Sequence, residues 1–202
     1  MRDVYESHWQ SLPEDPEPWA WQLRRSLLLG AIRPGERVLD LGCGAGRFVA
    51  ALREAGTDPV GVDIAEAALE RARRNVAGGE FRLLEPDGSV PLEHGSVDLV
   101  WCSEVLEHVA DAAHLLLEAR RVLQPSGRLL ITVPFHGRVQ AALIALTRFD
   151  RHFDPLGEHL RFFTRTSLAR TLLATGFTAL DVRPAGGAPL LRQFLVANAR
   201  RG

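Results

Sequence analysis

No stretch constrains this chain more than Val38-Leu39-Asp40-Leu41-Gly42-Cys43-Gly44-Ala45-Gly46, where an apolar run ends in an acid and then in three glycines at alternate positions. Glycines so spaced let the backbone turn sharply after a strand and come close to a ligand, where any Cβ would collide. Arg47-Phe48-Val49-Ala50-Ala51-Leu52 follows with helical spacing. The unpaired N–H groups at the start of that helix would face whatever the loop holds. Strand, glycine loop and helix in that order read as a nucleotide-cofactor loop, although the glycines alone also suit a plain tight turn.

Pro59-Val60-Gly61-Val62-Asp63 reads as a second strand ending in an acid, and an acid at that place in a βαβ unit can take the two hydroxyls of a ribose. The glycine spacing is GxGxG, with Arg47 where a dinucleotide loop has its third glycine, which speaks against a nicotinamide-dependent reductase. Asp40 would also repel a pyrophosphate, whereas it suits a cationic amino-acid group.

Apolar strand-like runs alternate with helical periodicity along the rest of the chain. The pattern predicts an α/β, Rossmann-like doubly wound sheet of seven strands, at 37–41, 59–63, 80–84, 97–102, 127–133, 177–183 and 190–198, with helices on both faces. A helix after Asp111 carries the stripe Leu115, Leu116, Ala119, Val122 and Leu123 and is expected to end at Pro125 and Gly127. Another follows the capping candidates Thr164 to Ser167 and closes at Gly176. The chain reads as one domain over 1–202 with two segments outside the sheet. Residues 1–30 form an N-terminal cap, irregular until about Trp19, and 135–163 form a long insertion with a helix-like run from Val139 to Leu146, read as a lid or substrate wall.

These motifs together resemble the class I S-adenosylmethionine-dependent methyltransferases, from about Trp21 to the C-terminus. Residues 38–46 are similar to the first motif of that family, Gly61 to Ile64 to its second, and the segment from Asp87-Gly88 to Asp98-Leu99-Val100 to the approach to its fourth strand. The resemblance implies that S-adenosylmethionine is the cofactor and that the last strand is antiparallel. It also implies that Asp40 lies near the methionine ammonium, that Gly42, Cys43, Gly44 and Gly46 line the loop, that Asp63 and Ile64 serve the ribose, and that Asp87 with Gly88 serves the adenine side, with Glu85 as the other acid there. Ser103, at the end of the fourth strand, is placed among the cofactor contacts.

Trp101-Cys102-Ser103-Glu104-Val105-Leu106-Glu107-His108-Val109 begins at a strand's carboxyl end, the edge where open α/β sheets bind ligands. Glu104, Glu107 and His108 are spaced i, i+3, i+4, so one helical turn would put them on one face, able to hold a divalent ion or to handle a proton. The segment resembles the ExxEH element of ubiquinone-biosynthesis O-methyltransferases and of small-RNA 2′-O-methyltransferases. In the RNA group a later histidine precedes an aromatic-Thr-Arg sequence, and Glu158-His159-Leu160-Arg161-Phe162-Phe163-Thr164-Arg165 looks like that stretch. The resemblance implies a site of Glu104, Glu107, His108 and His159 for Mg²⁺ or another divalent metal, with His108, Glu104 and His159 as the reactive groups; the rival reading makes His108 a base without metal. His136 and His152 are candidates to line the insertion, and His114 is expected to face solvent.

Such a cluster points to an oxygen acceptor. A methyl on a sulfonium is already activated, so alignment is the main task for an amine or thiolate, but a hydroxyl must also lose its proton. The expected partner is therefore a small-molecule acceptor, a catechol or vicinal diol. Alternatives are RNA 2′-O-methylation and a catalytically silent cofactor-binding subunit. Nucleic acid is disfavoured by a net charge of −1 at pH 7, in a chain whose 24 basic residues are all arginine. With 46% hydrophobic residues, 202 positions suffice for a full core. No run reaches the ~18 apolar residues of a membrane span and no signal-peptide core opens the chain, so a cytoplasmic location is expected. Cys43 and Cys102, the only cysteines, read as small buried thiols.

Overall fold

The computed structural model describes residues 2–13, 16–135, 137–147, 149, 159–188 and 192–202. A seven-stranded sheet runs in the order β3-β2-β1-β4-β5-β7-β6, where β1 is Arg37–Leu41, β2 Asp58–Asp63, β3 Glu80–Leu83, β4 Val97–Ser103, β5 Leu123–Pro134, β6 Phe177–Ala185 and β7 Phe194–Arg201. The strands from β1 to β5 pair in parallel, and β7 is antiparallel to both β5 and β6. This is the expected doubly wound architecture, and five of the seven strands overlie their expected spans closely, while β5 starts four residues earlier and β7 four residues later than expected.

Side-chain alternation divides the core between the two faces. Val38 of β1 and Leu99 and Trp101 of β4 pack with Leu28 of α2 (Trp21–Leu29) and with Phe48 and Leu52 of α3 (Arg47–Glu54). Leu39 and Leu41, with Val100 and Cys102, point the other way, toward Leu115, Leu116 and Ala119 of a helix at Ala112–Val122. A strand covered on both faces normally carries only apolar residues. Asp40 departs from that rule, 1% exposed between Gly61 of β2 and Trp101 of β4. By the same alternation Asp40 shares the face of Val38, and Ser103 that of Trp101, so both turn toward α2.

Among the described residues there are four further helices: α1 at Arg2–Ser11, α4 at Glu66–Asn75, α6 at Arg138–Thr147 and α7 at Arg165–Ala174, with Ala112–Val122 as α5. Asp111 caps α5 by accepting the His114 amide at 2.9 Å, and Thr164 and Ser167 cap α7 reciprocally. These caps follow the expected positions, each satisfying a backbone donor that the first helical turn leaves open.

Several expectations need correction. The N-terminus is not irregular before Trp19, because α1 occupies 2–11; none of its residues is buried, so no apolar stripe announces it. Polar ties hold it instead: the Glu6 carboxylate accepts the Ala67 amide at 3.1 Å, Arg2 donates to the Leu84 carbonyl, and Arg71 donates to the carbonyls of Leu12 and Pro13. α4 has no side-chain cap of its own, so Glu6 takes that role from another helix. α5 ends at Val122 rather than at Pro125, since Leu123 already pairs with Val97 as the start of β5. The last strand begins at 194 rather than 190, its register fixed where Ala185 meets Phe194 across the hairpin. His114 is half-buried against Gly88 and does not face solvent. His136, His152 and Glu158 lie outside the described residues, as do 148 and 150–158 of the expected lid; of that segment α6 is described.

Candidate functional site

The glycine loop leaves β1 at the carboxyl edge of the sheet. The Gly42 and Cys43 amides both donate to the Val62 carbonyl, at 2.7 and 3.0 Å, which folds the loop back over β2. Gly42 and Gly44 have φ of 83° and 51°, a region that favours glycine. A Cβ on Gly42 would sit 2.3 Å from Val105, and one on Gly44 2.7 Å from the Trp9 indole. Gly46 faces inward, against Ala72, Phe81 and Val76, so it serves packing of α3 on α4 rather than a ligand. Cys43 is buried with its sulfur beneath Gly61, and Cys102 is buried too; neither forms a disulfide.

Asp63 ends β2 with each carboxylate oxygen on a backbone amide, Oδ2 on Gly44 at 2.9 Å and Oδ1 on Ala65 at 3.0 Å. Burial pushes its carboxyl above the usual range, and those amides pull it back. Asp40 has less help. Burial first, and the nearby Asp63 charge second, raise it to about 8 against the opposing pull of Arg24, and its Oδ2 is buried with no hydrogen-bond partner.

Arg24 escaped the sequence reading. It lies on α2 one turn before Leu28, and these two are the buried residues of that helix. A cation on the apolar line of a helix was the available signal. Its guanidinium donates to Ser103 Oγ at 2.8 Å, to the Ser103 carbonyl at 3.3 Å and to the Trp19 carbonyl at 2.8 Å.

Two cavities open at this edge. One is walled by Asp63, Ile64, Leu84, Tyr5 and His108, the other by Arg24, Asp40, Gly44, Cys43 and Ser103. Trp9, Gly42 and Glu104 line both. Asp87 is exposed on a turn, where its carboxylate accepts the Ser89 amide, and neither it nor Gly88 is among the lining residues. Leu84 and Ile64 stand on that side instead.

Glu104, Glu107 and His108 do not share a helical face. Glu104 has φ 56°, and a turn closed by the His108 amide on the Val105 carbonyl replaces the helix. Left-handed backbone at Glu104 turns its carboxylate away, to accept the Thr132 hydroxyl at 2.9 Å. Glu107, His108 and His159 do converge, with one ligand atom from each lying within 4.8 Å of the others. The Leu160 amide donates to the Glu107 carbonyl at 2.9 Å, which returns His159 to the sheet edge and sets its ring centroid 4.9 Å from that of His108. Glu107 is 1% exposed and neither carboxylate oxygen has a hydrogen-bond partner; burial and the neighbouring Glu104 push it up to about 8.

Residues 17–182 match a family described as a methyltransferase domain. A 37.1 kDa uncharacterized protein in transposon TN4556 of Streptomyces fradiae is 42% identical over 54% of the chain and 34% of its own length. A ubiquinone biosynthesis O-methyltransferase of Neisseria meningitidis is 31% identical over 74% of the chain and 66% of its own length. The chain thus spans about a third of the one relative and just under two thirds of the other. Among solved structures, S-adenosylmethionine-dependent methyltransferases of Mesorhizobium loti and Methanosarcina mazei share the fold, each with a TM-score of 0.67. Identities are 22% and 21%, covering 90% and 87% of this chain and 97% and 96% of theirs. No helix among the described residues is long and apolar enough to cross a membrane.

Proposed function

The chain belongs to the class I S-adenosylmethionine-dependent methyltransferases, and on that premise we propose that it methylates a hydroxyl of a small molecule of catechol or vicinal-diol type. The observation that carries the oxygen acceptor is the Glu107, His108 and His159 cluster beside the cavity that Asp63 and Glu104 also line. Its likeness to a ubiquinone biosynthesis O-methyltransferase supports the same reading.

The cofactor fits the residues present. Asp40 Oδ2 is a buried acceptor without a donor, which an ammonium would satisfy, and Arg24 beside it suits a carboxylate. Asp63 accepts the Gly44 amide on one carboxylate oxygen and the Ala65 amide on the other, and its further lone pairs suit ribose hydroxyls. When bound, S-adenosylmethionine supplies a methyl on positively charged sulfur, open to displacement in line. The protein's part is to hold the acceptor oxygen opposite that sulfur, exclude water and remove a proton. His108, half-buried at the wall of the cavity, takes the proton.

A divalent metal also fits, with a changed ligand set. The two buried Glu107 oxygens accept no hydrogen bond, which suits a cation, and Glu107, His108 and His159 would hold it, with Glu104 outside. One carboxylate and two imidazoles form a softer set than two of each, favouring zinc, iron, cobalt or manganese over magnesium. Such an ion would supply Lewis acidity that lowers the pKa of a chelating hydroxyl.

The test is methyl transfer to a panel of catechols and vicinal diols, with and without chelator, then with each metal restored. Activity lost in chelator and regained with one ion supports the metal-assisted form. Full activity in chelator with an inactive His108→Ala leaves His108 as a base alone, and turnover only with amine or thiol acceptors rejects the oxygen acceptor.

A further inference from the structure

We propose that Trp9 and Glu104 flank the cofactor's sulfonium and make the protein hold the charged donor more tightly than its neutral demethylated product. The inference rests on the reading that the two cavities take S-adenosylmethionine, and it concerns the place where they meet.

The sulfur of this cofactor lies between its ribose and its amino-acid end. With the ribose at Asp63 in one cavity and the ammonium at Asp40 in the other, the sulfur must lie at their junction. Among the described residues, Trp9, Gly42 and Glu104 line both cavities. Gly42 has no side chain to offer, and Val105 leaves no room for one. Trp9 and Glu104 therefore supply the side-chain chemistry at the junction.

Both are fixed in place. The benzo edge of the Trp9 indole rests on Gly44, and the Arg71 guanidinium lies 5.9 Å from the ring centroid. Ties from α1 to Ala67, Leu84 and the His108 carbonyl hold the helix across the sheet edge. Glu104 keeps a left-handed backbone that non-glycine residues rarely adopt, and its Oε1 is fixed by Thr132. A weakly hydrated cation beside an indole and a carboxylate gains from both, whereas a neutral thioether keeps only the weaker sulfur–aromatic contact and gains nothing from the carboxylate. Methyl transfer removes that charge, so the same residues loosen the product. α1 lies outside the segment matched to the family, residues 17–182, so this wall comes from the chain's own N-terminus.

Calorimetry of the full chain with S-adenosylmethionine and with S-adenosylhomocysteine tests this without an acceptor. The wild type should prefer the methylated form. Trp9→Ala should weaken S-adenosylmethionine by about tenfold while changing S-adenosylhomocysteine by less than about threefold, and Trp9→Phe should recover most of the loss. Glu104→Gln, which keeps an acceptor for Thr132, should narrow the preference in the same way. Equal weakening of both ligands would mean that Trp9 only closes the site and overturns the proposal, as would an unchanged preference in both variants. Binding of neither ligand to the wild type would instead overturn the cofactor reading, and this inference with it.

Discussion

The Asp63 carboxylate accepts the Gly44 amide at 2.9 Å, so the acid at the end of β2 anchors the glycine loop that follows β1. Its other oxygen accepts the Ala65 amide, at the start of α4. Asp63 thus shapes the site before any ribose arrives. Asp63→Ala leaves two buried amides unpaired and should cost stability of about 1–3 kcal/mol, together with a loss of cofactor affinity. Thermal unfolding and calorimetry on the same variant check both. A variant that unfolds like the wild type would show the loop to be held by other means.

Asp40 makes cofactor binding depend on pH. Its folded pKa, about 8, lies above the ordinary carboxylate value, so near neutral pH the cofactor-free protein carries it protonated. Pairing with an ammonium requires the carboxylate, so binding should release up to one proton below pH 8. Affinity should rise by at most about tenfold per pH unit toward 8 and then level off. The same sign applied to folding makes this group's contribution to the stability of the cofactor-free protein fall as pH rises from the unfolded carboxylate range to about 8. Calorimetry in buffers of differing ionisation enthalpy measures the proton released, and Asp40→Asn should abolish both dependences.

Gly44→Ala should unseat α1. Its new Cβ would lie 2.7 Å from the Trp9 ring on a backbone with φ 51°, so both collision and left-handed strain oppose it. The strain alone amounts to about 1–2 kcal/mol. Hydrogen exchange over residues 2–11 should quicken markedly while that of β1 and β4 stays slow. Unchanged protection of α1 would mean that Trp9 does not bear on the loop.

Glu107→Gln should remove metal binding while sparing the fold. Glutamine is nearly isosteric and carries no charge to be buried, so thermal stability without metal should hold or rise by about 1 kcal/mol, whereas titrated zinc or cobalt should no longer bind at His108 and His159. Cobalt absorption read in the wild type and in the variant separates this from a general loss of structure.

The sheet was legible because the central strands β2 and β4 are mostly apolar runs next to turn residues, and the caps at Asp111 and Thr164 carry their own side-chain signature. Asp40 and Asp63 were legible because an acid at the end of an apolar strand has few structural uses. α1 was not legible, because it buries no residue and holds on through Arg2, Glu6 and Arg71, contacts that exist only once the chain has folded. Arg24 was hidden for a related reason, since its partner Ser103 is 79 positions away. At the ExxEH element spacing suggested a helical face, but the left-handed backbone of Glu104 divided the expected four-ligand set. Asp87 was placed by loose alignment alone, and the turn at Ser89 accounts for its carboxylate.

A crystal structure with S-adenosylhomocysteine bound would test these cofactor contacts together. The ribose hydroxyls should lie on Asp63, the ammonium within hydrogen-bond distance of Asp40 Oδ2, the carboxylate at Arg24 and the sulfur between Trp9 and Glu104. An adenosyl group seated elsewhere, or Asp40 Oδ2 still without a donor in the complex, would contradict this arrangement.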